Sequence, residues 1–294
     1  MVIEAAQRLG TRCILFNQRA FAAASMAFEL SADHLSGWIE IEGMGYPLDA
    51  IHGVYTRLMD YRLLPELKNE PDNAELHDYC AALHDVLTHW CEVSPARVVN
   101  RVSPMATNSS KPYQAQLIQP YGFSVPETLI TNDPDTVMEF RSRHGRIVYK
   151  SASGIRSIVQ MFEDKDVERL PAIRSCPTQF QAYVEGEDVR VHVVNEEVFA
   201  TRIASAAIDY RYARQQGMEP AQLTATDLPA DLAEKCVRLT RGLGLAFAGI
   251  DLRIPCDGPV FCFEVNPCPG FSYFEANTGQ PIALAVARYL TGQT

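Results

Sequence analysis

The chain has 294 residues, of which 47% are hydrophobic and 21% are charged, and its formal net charge is −10. These fractions are typical of a globular protein with at least one sizeable core, and no apolar run approaches the length of a membrane span. The acidic balance and the lack of any block of Lys or Arg argue against a surface that binds nucleic acid or anionic membranes. Residues 1–8 carry an early acid and no apolar core of the signal-peptide type, so we expect a cytoplasmic protein.

The eight cysteines are interpreted as free thiols rather than as disulfides or zinc ligands. No pair has the CxxC spacing of a zinc site, and disulfides are rare in chains without a secretory signal. Cys262 lies two residues before Glu264 in a predicted strand, so its thiol is expected on the same face as that carboxylate, packed at the rim of any site there.

Helix and strand patterns alternate in the N-terminal third, which predicts a small βαβ domain with a parallel sheet over residues 1–98. Helices are expected at 3–9, 19–30 and 73–91, and strands at 11–16, 37–42 and 51–58. The helix at 73–91 has one apolar face, formed by Leu76, Cys80, Leu83, Leu87 and Trp90. A βαβ domain ordinarily begins with a strand, so a chain that opens on a helix leaves open whether a first strand is missing. The polar segment 98–110 predicts a boundary to a second domain over residues 99–294.

A helix is predicted to begin at Lys111, with Ser109 or Ser110 as its N-cap, and to end at Gly122. A strand at 125–130, a helix at 133–140 and a strand at 146–150 follow. The last of these delivers Lys150 into the small-residue loop 151–157, where backbone N–H groups, hydroxyls and an ammonium group could hold a phosphate. Since the loop has only one glycine, Gly154, the motif by itself is weak, and a plain polar hairpin turn is the favoured interpretation of the loop alone.

Strands are predicted next at 179–184, 189–194 and 198–203. Arg190 and Arg202 interrupt two of these apolar strands, which are adjacent and antiparallel, so they could form one cationic patch for an anion or be ordinary surface arginines. The poorly patterned connection 205–226 has the length of a functional lid. Helices are expected at 228–243 and 281–290.

Between those helices, residues 248–253 and 261–266 are predicted to form an antiparallel hairpin around the turn residues 255–259. Glu264 and Asn266 then point to one face, and Asp251 on the partner strand can face them. Three oxygen donors on two strands suit a hard cation such as Mg²⁺. An acidic hairpin edge in water is the alternative, although it explains less well why each acid lies in an apolar strand, where an unpaired carboxylate is costly.

Taken in order, these segments resemble the ATP-grasp superfamily over roughly residues 98–294. The motifs that carry the resemblance are Ser110-Lys111, Val148-Tyr-Lys150, Gln181-Ala-Tyr-Val184, Asp188-Val-Arg190, Gly249-Ile-Asp251 and Phe263-Glu-Val-Asn-Pro267. Each motif is weak alone, but their order and spacing are specific. Within the superfamily, the chain looks most like the branch that holds ribosomal-protein-modifying glutamate ligases and graspetide-type ligases, which cross-link side chains in ribosomal peptides.

The resemblance implies an α/β (α+β) ATP-grasp fold with a small N-terminal βαβ domain of the pre-ATP-grasp type. It implies a central lid subdomain over about 123–185 and a C-terminal catalytic subdomain over about 186–294. ATP and Mg²⁺ are the implied cofactors, with two metal ions expected and Mn²⁺ as an alternative metal.

The resemblance also implies nucleotide contacts. Lys111, Lys150 and the loop at Gly154 would lie against the ATP phosphates, and Asp188 would hold the ribose. The hinge that reads adenine would consist of Gln181, Ala182, Tyr183 and Val184. The chain departs from the family pattern in having no acid in this hinge and a less glycine-rich loop at 151–157.

The same resemblance implies the catalytic groups. The metal ligands would be Asp251, Glu264 and Asn266. Arg190 and Arg202 would stabilise the transferring phosphoryl group, and Arg156 and Arg211 would meet the acceptor.

The implied activity is that of an ATP-dependent, ADP-forming carboxylate–amine ligase that works through an acylphosphate. Its substrates would be a small-molecule or peptide carboxylate and an amine or hydroxyl. Two alternatives stay open: a side-chain cross-linking ligase that makes ester or amide bonds in a ribosomal precursor peptide, and a non-catalytic nucleotide-binding protein. Ligases of this type are often homo-oligomers, and no nucleic-acid or membrane partner is expected.

Overall fold

The computed structural model describes residues 1–32, 34–151, 158–205, 208, 210 and 217–293. The helices are α1 (Val2–Arg8), α2 (Pro65–Lys68), α3 (Ala74–Val93), α4 (Val102–Met105), α5 (Lys111–Ile118), α6 (Pro134–His144), α7 (Asp164–Val167), α8 (Ala230–Gly242), α9 (Ser272–Thr278) and α10 (Ile282–Thr291). The strands are β1 (Ala24–Leu30), β2 (Leu35–Ile41), β3 (Met44–Pro47), β4 (Gly53–Tyr55), β5 (Arg97–Val99), β6 (Thr128–Thr131), β7 (Ile147–Ser151), β8 (Gln160–Met161), β9 (Thr178–Ala182), β10 (Glu187–Val194), β11 (Glu197–Ala204), β12 (Gln222–Thr226), β13 (Phe247–Ile254) and β14 (Phe261–Asn266).

The chain divides into two compact units. The first unit consists of Met1–Ala106, Gly244–Phe247 and Pro281–Thr294, and the second of Thr107–Leu243 and Ala248–Gln280. These limits differ from the predicted domains, because residues 99–106 and the last helix belong to the first unit. The subdivision of the second part into lid and catalytic subdomains stays a prediction.

A βαβ arrangement is present in the first unit. Strands β4 and β5 pair in parallel, and the long helix α3 connects them. The predicted apolar stripe of α3 faces a core that includes Cys80, Leu83, Leu87 and Trp90. Parallel neighbours need a crossover of this kind, because a tight turn can only join antiparallel strands.

Two expectations for the N-terminal third are wrong. Residues 24–30, predicted as part of a helix, form β1, which joins an antiparallel sheet in the order β1-β2-β3. Their alanines favour a helix, but pairing with β2 and packing of Met26 and Phe28 on the core outweigh that weak preference. Residues 11–16 form no strand; Ile14 and Leu15 are exposed, so no core face holds a strand there.

The C-terminal helix α10 belongs to the first unit because nearly every side of its first two turns is apolar and buried. It packs against α1, β4 and β5. The segment Gly244–Phe247 is tied to the same unit by the buried side chain of Asn100, which donates to the Phe247 carbonyl at 2.6 Å and accepts from the Ala246 N–H at 2.8 Å.

Two sheets make up most of the second unit. One has the order β12-β11-β10-β13-β14, and the other has the order β6-β9-β7-β8. The predicted hairpin is confirmed as β13 and β14, and the predicted helix at Lys111 is confirmed as α5, with the Ser110 hydroxyl as its N-cap. The connection 205–226 contains a strand that the sequence did not predict, β12, which pairs with β11. Across the described residues, no helix combines the length and apolarity needed to span a membrane.

Gly53 offers a test of the first unit. A Cβ atom there would overlap the carbonyl oxygen of Leu290 in α10, which is backbone and cannot rotate away. We expect Gly53→Ala to lower the free energy of unfolding by about 1–3 kcal/mol, as overpacking does. Both tryptophans, Trp38 and Trp90, lie in this unit, so urea unfolding followed by tryptophan fluorescence reports on it directly.

The matched control is Gly45→Ala in β3, where a Cβ would meet no atom within 4 Å. It should leave the unfolding midpoint unchanged or raise it slightly, because alanine restricts the unfolded chain. Equal midpoints for the two variants would contradict the close contact with α10.

Candidate active site

Two carboxylates face each other across the β13–β14 hairpin. Asp251 pairs with Glu264 in the register of the ladder, and Gly249 pairs with Asn266. Residues directly opposite on neighbouring strands have their side chains on the same face, where two like charges destabilise the sheet. Some other group must therefore compensate this pair, and the surrounding elements supply cations.

Each carboxylate has its own cation. The buried guanidinium of Arg190 on β10 donates from Nη1 to Asp251 Oδ1 at 2.7 Å. Lys111, the first residue of α5, forms an ion pair with Glu264 and also donates to Asn108 Oδ1 at 2.6 Å. Two cations from two different elements thus meet two acids on one hairpin.

The surrounding charges favour the ionised forms of Glu264 and Arg190. Burial opposes ionisation of Glu264, but Lys111, Lys150 and Arg190 outweigh it and hold its pKa below the usual value. Burial also opposes the charge on Arg190, but Asp251 overcomes this and raises the pKa of the guanidinium. Lys150, predicted as a phosphate ligand, therefore lies close enough to act on Glu264 together with Lys111.

Gly249 provides the path by which Arg190 reaches Asp251. A Cβ on Gly249 would overlap Arg190 Nη2 and would lie 2.7 Å from Cβ of Pro269. On the other side, Arg190 contacts the ring of Phe274 in α9, with Cζ 5.8 Å from the ring centroid. The guanidinium thus lies between the backbone of β13 at Gly249, the ring of Phe274 and the carboxylate of Asp251.

The expectation of one cationic patch formed by Arg190 and Arg202 is wrong. In the β10–β11 ladder Arg190 lies opposite Thr201, whereas Arg202 lies opposite Val189, so the two arginines point to opposite faces of the sheet. Arg202 is exposed and pairs with Glu187 at 2.8 Å. Strand pairing was predicted correctly, but the register decides the face.

A bulge in the hairpin also changes the predicted position of Cys262. The register shifts after Asp251, so that Leu252 pairs with Cys262 and Phe263 is the extra residue of β14. Cys262 therefore lies on the face opposite Glu264 and is fully buried, so the prediction that it lies at the rim of the site is wrong. Burial raises the pKa of its thiol well above the usual range, with a contribution from the nearby Cys236 in α8.

Helix α5 is fixed to β14 by a buried glutamine that sequence reasoning gave no role. Gln114 donates from Nε2 to the Val265 carbonyl at 2.8 Å and accepts from the Val265 N–H at 3.0 Å. The side chain thus acts as an additional strand neighbour at the edge of the sheet. It fixes the helix that carries Lys111 against the strand that carries Glu264.

The predicted hinge begins in the last two residues of β9, the strand that pairs with both β6 and β7. Gln181 donates to the Thr128 hydroxyl at 2.9 Å, the Ala182 N–H to the Glu127 carbonyl, and the Tyr183 N–H to the Arg146 carbonyl. The Val184 carbonyl accepts from Arg253 Nη1 at 2.6 Å, and the predicted ribose ligand Asp188 accepts from Arg253 Nε at 2.6 Å. Like Gln114, Arg253 connects elements of the site, and the sequence analysis gave it no role.

The donor set at the hairpin fits Mg²⁺. Asp251 and Glu264 supply two facing carboxylates, and Asn266 supplies an amide oxygen two residues beyond Glu264. Hard cations prefer oxygen donors of this kind, and a divalent cation relieves the repulsion of facing acids. Among the described residues no group of three or more His, Cys, Asp or Glu residues could hold a metal, so any metal here depends on the mixed carboxylate and amide set.

Some predicted site residues lie outside the described part of the chain. These are Gly154, Arg156 and Arg211, together with most of the phosphate loop and part of the connection 205–226.

Gly249→Ala tests the contact between Arg190 and Asp251. We expect it to displace the guanidinium, leave a buried charge without its partner and weaken binding of Mg²⁺-ADP at least tenfold, as measured by isothermal titration calorimetry. Gly270→Ala, where a Cβ would meet nothing within 4 Å, is the control and should bind as the wild type does. Unchanged affinity in Gly249→Ala would rule out a role for this path.

Thiol labelling tests the bulge. In the native protein at pH 8 we expect a maleimide to modify the exposed Cys176, Cys256 and Cys268 quickly and to leave Cys262 and Cys236 unmodified until urea is added. Burial raises the pKa of Cys236 to about 12, so few thiolates form there below that pH. Peptide mass mapping gives the result; rapid native labelling of Cys262 would place it on the Glu264 face after all.

Comparison with known proteins identifies the family of this chain. The model of the RimK-like ATP-grasp domain matches residues 109–290. A probable alpha-L-glutamate ligase of Xanthomonas oryzae pv. oryzae is 30% identical over 197 residues, which are 60% of this chain and 62% of that protein. This chain therefore spans less than two thirds of the length of that curated relative.

Solved structures match over nearly the whole chain. The ATP-grasp ligase PsnB, complexed with minimal precursor, Mg and ADP, is 26% identical with a TM-score of 0.78, covering 99% of this chain and 92% of PsnB. A Chryseobacterium gregarium RiPP-associated ATP-grasp ligase in complex with ADP and a leader and core peptide is 21% identical, with a TM-score of 0.83 over 100% of this chain and 92% of that one. The resemblance inferred from the motifs is confirmed: this chain belongs to the RimK-like ATP-grasp family.

Proposed function

We propose that this protein is an ATP-dependent ligase that joins a carboxylate to an amine and releases ADP and phosphate. The observation that carries the proposal is the pair of facing carboxylates, Asp251 and Glu264, each held by its own cation and with Lys150 nearby. A non-catalytic nucleotide-binding protein has no need to keep opposed acids and three cations on one partly buried face, where each uncompensated charge is costly.

The family resemblance and the grouping of these residues around the hairpin and hinge support the following nucleotide roles. Lys111 and Lys150 contact the phosphates as point charges, and residues 181–184 read the adenine through their backbone. Asp188 holds the ribose. Asp251, Glu264 and Asn266 would hold Mg²⁺, which would supply positive charge against the phosphates. In this arrangement the ammonium group of Lys111 exchanges part of its contact with Glu264 for the phosphates.

The chemistry runs in two steps. A substrate carboxylate oxygen attacks the γ-phosphorus of ATP, and the bond from that phosphorus to the β,γ-bridging oxygen breaks. The products of this step are ADP and an acylphosphate. An amine then attacks the acyl carbon, loses a proton and expels inorganic phosphate. Arg190 stabilises the negative charge of the transferring phosphoryl group, and catalysis is mainly positioning and electrostatics. Arg202 has no part in this arrangement because it lies on the opposite face of its sheet.

A peptide is the substrate that the comparisons favour. The structural likeness to PsnB, a ligase complexed with a minimal precursor, covers 99% of this chain. The second candidate is therefore a ligase that forms ester or amide cross-links between side chains of a ribosomal precursor peptide. In that case the amine or hydroxyl nucleophile and the carboxylate belong to one peptide.

Substitution of Glu264 or Lys150 tests the ligase assignment. We expect Glu264→Gln and Lys150→Met to lower substrate-dependent ADP release about 100-fold or more. The first variant removes a proposed Mg²⁺ ligand, and the second removes positive charge that acts on the transferring phosphoryl group. Release is measured with pools of amino acids and of precursor-like peptides, and mass spectrometry of the products distinguishes the addition of an amino acid from the loss of water within a peptide.

The matched controls are Glu196→Gln and Lys165→Met. Both residues form exposed ion pairs, with Arg241 and Glu163 respectively, and such pairs contribute little. Both variants should retain wild-type turnover. Full turnover in folded Glu264→Gln or Lys150→Met would refute the assignment.

A further inference from the structure

We propose that Arg253 is a positioning residue that holds the nucleoside end of the bound nucleotide's site, an inference that rests on the proposed ATP-dependent function. Arg253 lies on β13 two residues after Asp251, on the same face of the strand. One strand then organises both ends of the site: Asp251 at the metal and phosphates, and Arg253 at the hinge and ribose ligand.

The first support is that one guanidinium bridges two predicted nucleoside contacts. Arg253 Nε donates to Asp188 Oδ1, and Nη1 donates to the Val184 carbonyl, each at 2.6 Å. The side chain of Arg253 is 12% exposed and that of Asp188 is 28% exposed, so this pair is partly shielded from water. Charge-assisted hydrogen bonds in such surroundings are the stronger ones. Asp188 is thereby oriented, and the end of the hinge is held in place.

The second support is that aromatic rings fix the plane of the guanidinium. Its Cζ lies 5.8 Å from the ring centroid of Tyr183 in the hinge and 5.5 Å from that of Phe263. Phe263 is the extra residue that the bulge in β14 adds, so the bulge is what brings this ring to Arg253. A planar group with several donors suits two acceptors and two rings, whereas lysine offers one ammonium.

The third support is independent of Arg253. Gly186 follows the hinge with φ of +148°, and a Cβ there would lie 2.6 Å from the Ile254 carbonyl oxygen and 2.8 Å from the Pro255 nitrogen. These are backbone atoms that cannot turn aside. The hinge therefore meets the end of β13 backbone to backbone, and Arg253 adds a side-chain connection at the same place.

The position of Arg253 predicts which part of a ligand depends on it. Its partners lie at the hinge and at Asp188, whereas Lys111, Lys150 and Glu264 form the phosphate and metal end. Loss of Arg253 should weaken the binding of adenosine and of Mg²⁺-ADP by the same factor. Loss of Lys150 should weaken Mg²⁺-ADP alone. A residue that only supported the fold would also lower both affinities, so the folded state of each variant and the affinities of Arg253→Lys distinguish the two roles.

The experiment measures affinities of adenosine and Mg²⁺-ADP by competition with a fluorescent ADP derivative. For Arg253→Met we expect both affinities to fall by about tenfold or more, the size expected for a lost charge-assisted hydrogen bond. Arg253→Lys can serve one acceptor at a time, so its affinities should lie between those of wild type and Arg253→Met. Circular dichroism without nucleotide establishes whether each variant is folded. If Arg253→Met is unfolded, the affinities of Arg253→Lys alone test the inference.

The control is Arg146→Met. Arg146 contacts the same Tyr183 ring, with Cζ 4.1 Å from its centroid, but its side chain is 58% exposed and pairs with Glu185. Its adenosine affinity should stay within twofold of wild type. If the adenosine affinity of Arg253→Met is also within twofold of wild type, the inference is overturned. If Arg253→Lys binds both ligands as tightly as wild type, the proposal that Arg253 must serve two acceptors is overturned. Failure of the wild type to bind Mg²⁺-ADP would instead count against the proposed function.

Discussion

The facing carboxylates of Asp251 and Glu264 set the constraint on which the second unit depends. Two like charges on one face of a hairpin destabilise it unless cations hold them. Here the cations come from β10 and from the first turn of α5, with further influence from Lys150 on β7. Compensating the hairpin's charge therefore requires several elements, from both sheets and a helix, to be in place together. The same requirement assembles a cluster of cations and acids suited to a nucleoside triphosphate and its metal.

Small backbone features make this convergence sterically possible. Gly249 has no side chain to block Arg190, and Gly186 lets the hinge approach the end of β13. The bulge at Phe263 keeps Glu264 on the polar face while it returns Cys262 to the core beside α8. A regular hairpin would have placed the thiol and the carboxylate on one face. The irregularities of the strands thus decide which side chains enter the site.

Side chains that bond to backbone groups connect the elements. The Gln114 amide bonds to both backbone groups of Val265, and Arg253 donates to the Val184 carbonyl. In the first unit, the Asn100 amide donates to the Phe247 carbonyl and accepts from the Ala246 N–H. Each uses directional hydrogen bonds that leave few alternative arrangements. Apolar packing alone tolerates many arrangements of similar volume. These polar contacts therefore help to specify one relative placement of neighbouring helices and strands within each unit.

The amino-acid sequence by itself determined the elements whose patterns are local: helix α3 from its apolar stripe, the N-cap and start of α5, and the β13–β14 hairpin from two strands around a turn. It also brought Asp251 and Glu264 to facing positions, because alternation along paired strands is a local rule. Only the tertiary structure decided that residues 24–30 are a strand, that Cys262 is buried, that Arg190 and Arg202 part to opposite faces, and that Gln114 and Arg253 act as connectors. Those outcomes depend on register, on a bulge and on partners more than sixty residues away in sequence for Arg190, Arg253 and Gln114, and no local pattern carries that information.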